Sequence, residues 1–126
     1  MGRRDSNDPL WKEAKQKVLT RDGGKDRILL ILSYKEYLIL KKCAPANMLA
    51  TLDPAHIFSV GAHSDEVYNI DNIVTLNRFS HTSLDDMKSP ISGKGISREE
   101  RDNWWERIAG KQWVDIQHLN GAYDSE

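Results

Sequence analysis

Two segments decide the fold of this chain: LDPAHI at residues 52–57 and DNIVTLNRFSHTSLDD at residues 71–86. Residues 48–58, which contain the first segment, predict a short strand pair or a strand and a turn, in which Asp53 and Pro54 interrupt the apolar pattern. His56 lies near the end of this apolar stretch. The second segment contains the elements that are expected to pack against it.

The second segment begins with the apolar run Ile73–Leu76, which predicts another strand. Residues 78–87 follow and predict a short helix, on which His81 and Asp85 share one face because they stand four positions apart. The interval at residues 59–71 has the glycine, serine, asparagine and aspartate content of a surface loop. The sequence therefore predicts a strand, a loop, a strand and a helix, with polar groups converging on one point.

Helices are expected on both sides of this unit. A polar cap at residue 7 or 8 opens an amphipathic helix that Gly23 and Gly24 end. Residues 26–42 are nearly continuous in apolar side chains, a pattern that favours a helix without excluding strands. Ser97 with Glu100 forms a capping-box signal for a further helix, and the tail after it has enough apolar residues to dock.

Length and composition fit one soluble globular domain of the α+β class. The 126 residues can bury a core without disulfides, and 39% are hydrophobic and 29% charged. We divide this single domain into a basic helical segment at residues 8–42, a motif core at residues 43–88, and a C-terminal helix and tail at residues 97–126.

Nothing in the chain predicts contact with a membrane. The longest apolar run, Ile28–Leu32, is far below the roughly 20 residues that span a bilayer, and the chain does not open like a signal peptide. The single cysteine, Cys43, suits a reducing compartment and is expected to be a small buried hydrophobe. We therefore expect a cytoplasmic protein.

The charge distribution bears on nucleic-acid binding. A net charge of −1 argues against a protein that coats nucleic acid indiscriminately. Residues 1–42, however, hold 11 basic against 6 acidic side chains, and the remainder holds 7 against 13. A basic N-terminal third can follow a phosphate backbone, and Arg21, Lys25 and Arg78 are the candidate contacts. Lysines on the solvated faces of amphipathic helices explain the same distribution equally well.

Four polar residues have the chemistry of a phosphodiesterase site. Hydrolysis needs an activated water, stabilised charge on the phosphate and help for the leaving oxygen, and a histidine with one divalent metal can divide this work. His56 ends an apolar stretch, Asn72 opens the next one, and His81 with Asp85 lies on the following helix.

Residues 52–57 and 71–76, together with His81, Leu84 and Asp85, resemble the HNH endonuclease motif, in versions common in phage genomes. The resemblance covers about a third of the chain. The residues Arg21-Asp22-Gly23 also resemble the arginine, aspartate and glycine that often precede this motif. The resemblance to the HNH motif implies a ββα-metal fold and an enzyme that hydrolyses phosphodiester bonds in DNA. If the protein is phage-encoded, it would act in the cytoplasm of the host cell.

The resemblance also implies a role for each matching residue. His56 matches the general base, and Asn72 matches the asparagine that fixes the catalytic loop. His81 matches a metal ligand, and Asp85 matches a position that is often a second ligand. Mg²⁺ or Mn²⁺ suits such a mixed oxygen and imidazole site.

Two departures from the family pattern bear on the metals. Many relatives carry a ligand immediately before the base histidine, where this chain has Ala55, and Asp53 can reach in instead. Many relatives also bind a structural zinc ion with two pairs of cysteines. The corresponding positions here read Cys43-x-x-Ala46 and Asn77-x-x-Ser80. One cysteine cannot hold that ion, so we expect no structural zinc and expect packing of the long apolar segment to replace it.

Two other hypotheses remain open. The chain can be a DNA-binding or scaffold protein that kept the fold and lost catalysis, which Ala55 supports. It can also act only with a protein partner, in a phage packaging or recombination system. Outside the motif, we expect one of Trp104 and Trp105 in the core and the other partly exposed, with base stacking as the alternative. His63 and His118 are expected to be structural or solvated, with His63 a minor candidate for substrate contact.

Overall fold

The computed structural model describes residues 8–58 and 68–117. The predictions for His63 and His118, and most of the predicted loop at residues 59–71, lie outside these ranges. The described elements form a small α+β structure, as the composition and pattern predict. In chain order they are α1 (Pro9–Asp22), a 3₁₀ turn (Arg27–Leu30), α2 (Tyr34–Cys43), α3 (Ala46–Leu49), β1 (Leu52–His56), a 3₁₀ turn (Ile70–Asn72), β2 (Ile73–Asn77), α4 (Arg78–Asp85), α5 (Arg98–Ala109) and α6 (Lys111–Asp115).

The sheet consists of β1 and β2, paired antiparallel, and α4 begins at the residue after β2. The predicted second strand and the helix with His81 are confirmed. The prediction that Asp53 and Pro54 interrupt the pattern is wrong, because both lie inside β1. The start of the predicted strand region is also wrong, because residues 48 and 49 lie in α3. Pro54 pairs with Thr75 at a position whose backbone faces the open edge of β1, so its missing N–H costs no hydrogen bond between the strands.

Helix α1 begins and ends as predicted. The Asp8 side chain accepts a hydrogen bond from the Leu10 N–H, Pro9 occupies the first helical position, and Gly23 ends the helix in the left-handed conformation (φ 65°). The buried side of α1 consists of Trp11, Ala14 and Val18, which cluster with Ile73 of β2. This apolar stripe packs α1 on one face of the hairpin.

The prediction of one helix over residues 26–42 is only partly correct. A 3₁₀ turn ends at Leu30, and α2 starts afresh at Tyr34. The reason is a capping box, in which Ser33 accepts from the Glu36 N–H and Glu36 accepts from the Ser33 N–H.

The prediction that Cys43 is buried is wrong, because the buried side of α2 is formed by Leu40 and leaves Cys43 exposed.

Helix α5 confirms the second capping box, between Ser97 and Glu100. Trp105 is fully buried, whereas Trp104 is partly exposed and lies 4.6 Å from the Arg107 guanidinium, so the expected division of the two tryptophans is confirmed. The tail docks through Ile116, which is 1% exposed.

The two faces of the hairpin pack against different parts of the chain. Side chains alternate along a strand, so Asp53 and Ala55 share one face and Pro54 and His56 the other. Ala55 joins the main core, which also contains side chains of α4 and α5. The opposite face lies against α1. This division determines which candidate residues can meet.

Side chains from the end of α1 pair the open edge of β2. The Thr75 N–H donates to Asp22 at 3.0 Å, and the Ile73 carbonyl accepts from Arg21 at 2.6 Å. The Asp22 side chain is 2% exposed, and its carboxylate also accepts hydrogen bonds from the Arg21 and Arg27 guanidinium groups, each at 2.9 Å. Burial alone raises the pKa of Asp22, but the Arg21 hydrogen bond and charge and the Thr75 hydrogen bonds outweigh it, so the pKa lies below 3.8.

We expect Asp22→Ala to lower the free energy of unfolding by about 3 kcal/mol, because it leaves the Thr75 N–H and two guanidinium groups without their shared acceptor. Urea unfolding measures the loss. Glu13→Gln is the control. It removes a carboxylate that is 59% exposed and pairs with exposed Lys17, and should cost less than about 0.5 kcal/mol. Equal losses in the two variants would contradict the role of Asp22.

Candidate active site

Three of the predicted site residues meet between β1 and α4. His81 Nδ1 lies 3.1 Å from an Asp53 oxygen, and His81 Nε2 lies 3.2 Å from an Asp85 oxygen. Asp85 reaches the ring because it lies one helical turn after His81. Asp53 reaches it from the strand, on the face that α4 covers. His81 is 22% exposed, so this cluster is open to solvent on one side.

Arg78 also belongs to this cluster. Its guanidinium makes two hydrogen bonds to the Asp53 carboxylate, at 3.0 and 3.1 Å. The pairing follows from the strand register, which sets Leu52 opposite Asn77 and so brings the start of α4 beside Asp53. Asp53 thus joins Arg78 and His81 through one carboxylate.

The pairing shifts the pKa values of both partners. Burial lowers the pKa of His81, but the hydrogen bonds and charges of Asp85 and Asp53 have the larger combined effect and raise it above 6.5. Burial raises the pKa of Asp53, and the contacts with Arg78 and His81 bring it below 3.8. A protonated imidazole between two carboxylates is therefore the favoured state at mildly acidic pH.

His56 does not join this cluster. It is the last residue of β1 and lies on the face toward α1, where its half-buried ring stacks on Trp11 with a centroid separation of 5.5 Å and an interplanar angle of 18°. The stack fixes the plane of the imidazole while leaving part of the ring accessible. The candidate base and the His81 cluster thus occupy opposite faces of the hairpin.

Asn72 fixes the backbone that follows the candidate base. Its side-chain oxygen accepts from the Phe58 N–H at 2.9 Å, and its amide donates to the Phe58 carbonyl at 3.0 Å. The Asn72 carbonyl also accepts from the Ile57 N–H at 2.9 Å. Asn72 is fully buried, so these bonds hold the exit of β1 two residues after His56.

The three candidate nucleic-acid contacts lie in different settings. Arg21 donates to the carbonyls of Ile70 and Ile73 and pairs with Asp22, and Arg78 binds Asp53. Lys25 is exposed beyond the end of α1. The guanidinium groups of Arg21 and Arg78 therefore have structural partners, and DNA contact by all three residues stays a prediction.

A polar network surrounds Asn77 and Ser80, the two positions that the sequence resemblance matches to a pair of zinc-binding cysteines in other proteins. Asn77 caps α4 by accepting from the Ser80 N–H at 2.8 Å, and its amide donates to buried Asp26 at 2.7 Å and to the Ser80 hydroxyl at 2.9 Å. The Ser80 hydroxyl donates to the Pro90 carbonyl at 2.8 Å. These bonds join α4 to the residues before α2 and after α4. The first pair offers exposed Cys43.

Sequence reasoning missed Trp11 as a neighbour of His56. The helical spacing of Leu10, Trp11, Ala14, Val18 and Leu19 predicts an amphipathic helix. The structure buries Trp11, Ala14 and Val18 and leaves Leu10 and Leu19 exposed. No local signal indicates that His56, far along the chain, stacks on Trp11. The Asp53–Arg78 pair was equally hidden, because it depends on the strand register.

Comparison of the chain with protein-family models, with curated proteins and with solved structures found no significant match. Among residues 8–58 and 68–117, no group of three or more His, Cys, Asp or Glu side chains is arranged to hold a metal ion. At His81 both ring nitrogens lie within hydrogen-bond distance of a carboxylate oxygen, from Asp53 and Asp85. No helix in the described part of the chain is long and apolar enough to cross a membrane.

We expect the pKa of His81, followed by NMR titration of the metal-free protein, to lie above 6.5 and to fall in Asp85→Asn. Because folding raises this pKa, the pairing stabilises the fold fully below the unfolded-state value near 6.5 and is lost as the pH rises through the folded-state value. Asp86→Asn is the matched control, since it removes the neighbouring exposed carboxylate. A His81 pKa unchanged by Asp85→Asn would contradict the pairing.

Asn77→Ala should lower the free energy of unfolding by about 2 kcal/mol, because Asp26 and the Ser80 N–H lose buried hydrogen-bond partners. Chemical unfolding monitored by circular dichroism measures the change. Asn47→Ala, at an exposed position of α3, should stay within about 0.5 kcal/mol of wild type. A wild-type stability for Asn77→Ala would show that the network contributes little.

Proposed function

We propose that this protein is a metal-dependent endonuclease of the HNH type that hydrolyses phosphodiester bonds in DNA. The observation that carries the proposal is the Asp53–His81–Asp85 cluster, formed between a two-stranded hairpin and the helix that follows it at once. This order of elements, with a histidine and carboxylates between strand and helix, is what the resemblance of residues 52–57 and 71–86 implies.

Asp85 and His81 would hold the metal ion, through a carboxylate oxygen and Nε2. Asp53 then has a different role from the one that the sequence suggests, because it already accepts from Nδ1 of His81 and from Arg78. A carboxylate on the second ring nitrogen fixes the tautomer and orientation of a ligating histidine. Asp53 is therefore best interpreted as orienting His81.

An imidazole and a carboxylate are donor types that would suit Mg²⁺ or Mn²⁺. Mg²⁺ commonly keeps several waters and binds through one or two carboxylates together with phosphate oxygens of the substrate. Such an ion, when bound, polarises the phosphoryl oxygen and stabilises the charge of the transition state. Ala55 is fully buried and offers no ligand, so the site would depend on water and the substrate to complete the coordination.

His56 would take the proton from the attacking water. Trp11 restricts the orientation of the His56 imidazole, and Asn72 fixes the backbone two residues after His56. These two contacts together position the base at the end of β1. His56 and the His81 cluster lie on opposite hairpin faces, and His81 pairs with Asp53, three residues before His56 in β1. The proposal therefore requires the bound DNA to bring the two groups to one phosphate.

A second candidate function is a DNA-binding or scaffold protein that does not cut, or that cuts only with a protein partner. The specific observation in its favour is the bidentate Arg78–Asp53 pair together with the buried methyl group of Ala55. These features leave two protein ligands for an ion. A partner in a phage packaging or recombination system would then complete the site.

Plasmid nicking with Mg²⁺, Mn²⁺ or EDTA tests the proposal. We expect cleavage only with metal, and a loss of about 100-fold or more in His56→Ala, the size of effect that a general base supplies. Asp85→Asn should reduce both cleavage and Mn²⁺ affinity measured by calorimetry, whereas Asp86→Asn should retain both.

Two outcomes would overturn this assignment. A wild-type protein that binds DNA and cuts it under none of these conditions supports the scaffold function, and activity restored by a partner supports the dependent form. Cleavage that persists undiminished in His56→Ala would remove the base assignment even if metal is required.

A further inference from the structure

A groove of about 430 Å³ lies between α1 and β1, on the side of the hairpin that carries His56. Lys12, Lys15 and Gln16 line it from the helix, and Leu52 and Pro54 line it from the strand. The helix side also contributes Val18 and Leu19, and the strand side also contributes Asp53 and Thr75, so the groove combines two lysines with apolar surface.

The lysines of this groove have an uncompensated charge. Lys12 and Lys15 form no ion pair with any residue in the ranges 8–58 and 68–117, and Glu13, between them in sequence, lines cavities on the other flank of α1. Asp53 is the one carboxylate among the lining residues, and Arg78 and His81 already pair with it. The groove thus presents net positive charge.

The lysine end of the groove adjoins the candidate base. Trp11 precedes Lys12 in α1 and stacks on His56, and the Lys15 ammonium lies 5.9 Å from the centroid of the same indole. A polyanion in the groove would therefore approach the His56 ring along its supporting helix.

We propose that this groove binds the sugar-phosphate backbone of the DNA strand that is cut, with Lys12 and Lys15 each contacting a phosphate beside the scissile one. The apolar wall formed by Leu52 and Pro54 suits the deoxyribose, which presents C–H groups between phosphates. Contacts of this kind fix position and carry no base sequence. The inference rests on the proposed function, because it assigns the groove to the same substrate.

The test is binding of a fluorescein-labelled 20-base-pair duplex by anisotropy, in EDTA and over a series of salt concentrations. The variant is Lys12→Gln with Lys15→Gln, and the matched control is Lys35→Gln with Lys42→Gln, which removes the same charge from exposed positions of α2. We expect the groove variant to weaken binding about tenfold or more at low salt and to reduce the slope of log K against log salt by about 2. The control should retain the wild-type slope.

Three results would overturn the groove assignment. They are an equal loss in both double variants, the absence of duplex binding by the wild type at low salt, and equal displacement of the duplex by poly-glutamate of the same charge. The last would show a surface for acidic polypeptides or for any polyanion. Circular dichroism of each variant checks that its fold is intact.

The assay separates the groove from the catalytic proposal, because it contains no metal and needs no turnover. Groove-dependent binding by a protein that never cuts would retain the groove and remove the nuclease. If cleavage depends on His56 but the two double lysine variants weaken duplex binding equally, the nuclease proposal stands and the groove assignment is rejected.

Discussion

The pairing of the open edge of β2 by side chains is the constraint on which the described structure depends. A two-stranded sheet leaves each outer edge with unpaired N–H and C=O groups, and such a sheet alone is marginal in water. Asp22 and Arg21 supply the missing partners, and Arg27 extends the contact to the Ile108 carbonyl at the end of α5. One buried carboxylate thus fixes α1, β2 and α5 relative to one another.

That constraint also gives the Arg21-Asp22-Gly23 segment a physical role. Gly23 adopts the left-handed conformation that ends α1, which presents the two preceding side chains to β2. Arg21 donates hydrogen bonds to backbone carbonyl groups, and Asp22 accepts one from a backbone N–H. The pair therefore provides partners for both kinds of unpaired backbone group. The docking of α1 in turn brings Trp11 to His56, and the groove beside it is a product of the same packing.

The hairpin distributes its candidate chemistry over two faces. The face toward α4 contains the acidic and imidazole cluster, and the face toward α1 contains His56 with the lysine groove. Under the proposed function, this arrangement separates the ion from the base, and the bound DNA would have to bring them to one phosphate. The buried Asn72 side chain fixes the chain just after β1, because its amide oxygen and nitrogen bind the N–H and the carbonyl of Phe58.

By itself the sequence determined the local elements: the capping boxes of α2 and α5, the polar cap and glycine stop of α1, the strand at β2 and the shared face of His81 and Asp85. These follow from interactions a few residues apart, which spacing and residue type can express. The break before α2 was not predicted, because the Ser33–Glu36 capping box lies within a nearly continuous apolar run. Pro54 was predicted to interrupt the strand, because only the strand pairing shows that its nitrogen faces an open edge.

The tertiary structure alone decided which distant side chains meet. Asp53 reaches His81 and Arg78 through the register of β1 against β2, and His56 meets Trp11 through the docking of α1. Each contact joins residues at least 25 positions apart, so no local pattern encodes it. The physical reason is that a one-residue change of register would exchange the two faces of β1, and burial of the whole core, rather than any single segment, fixes that register.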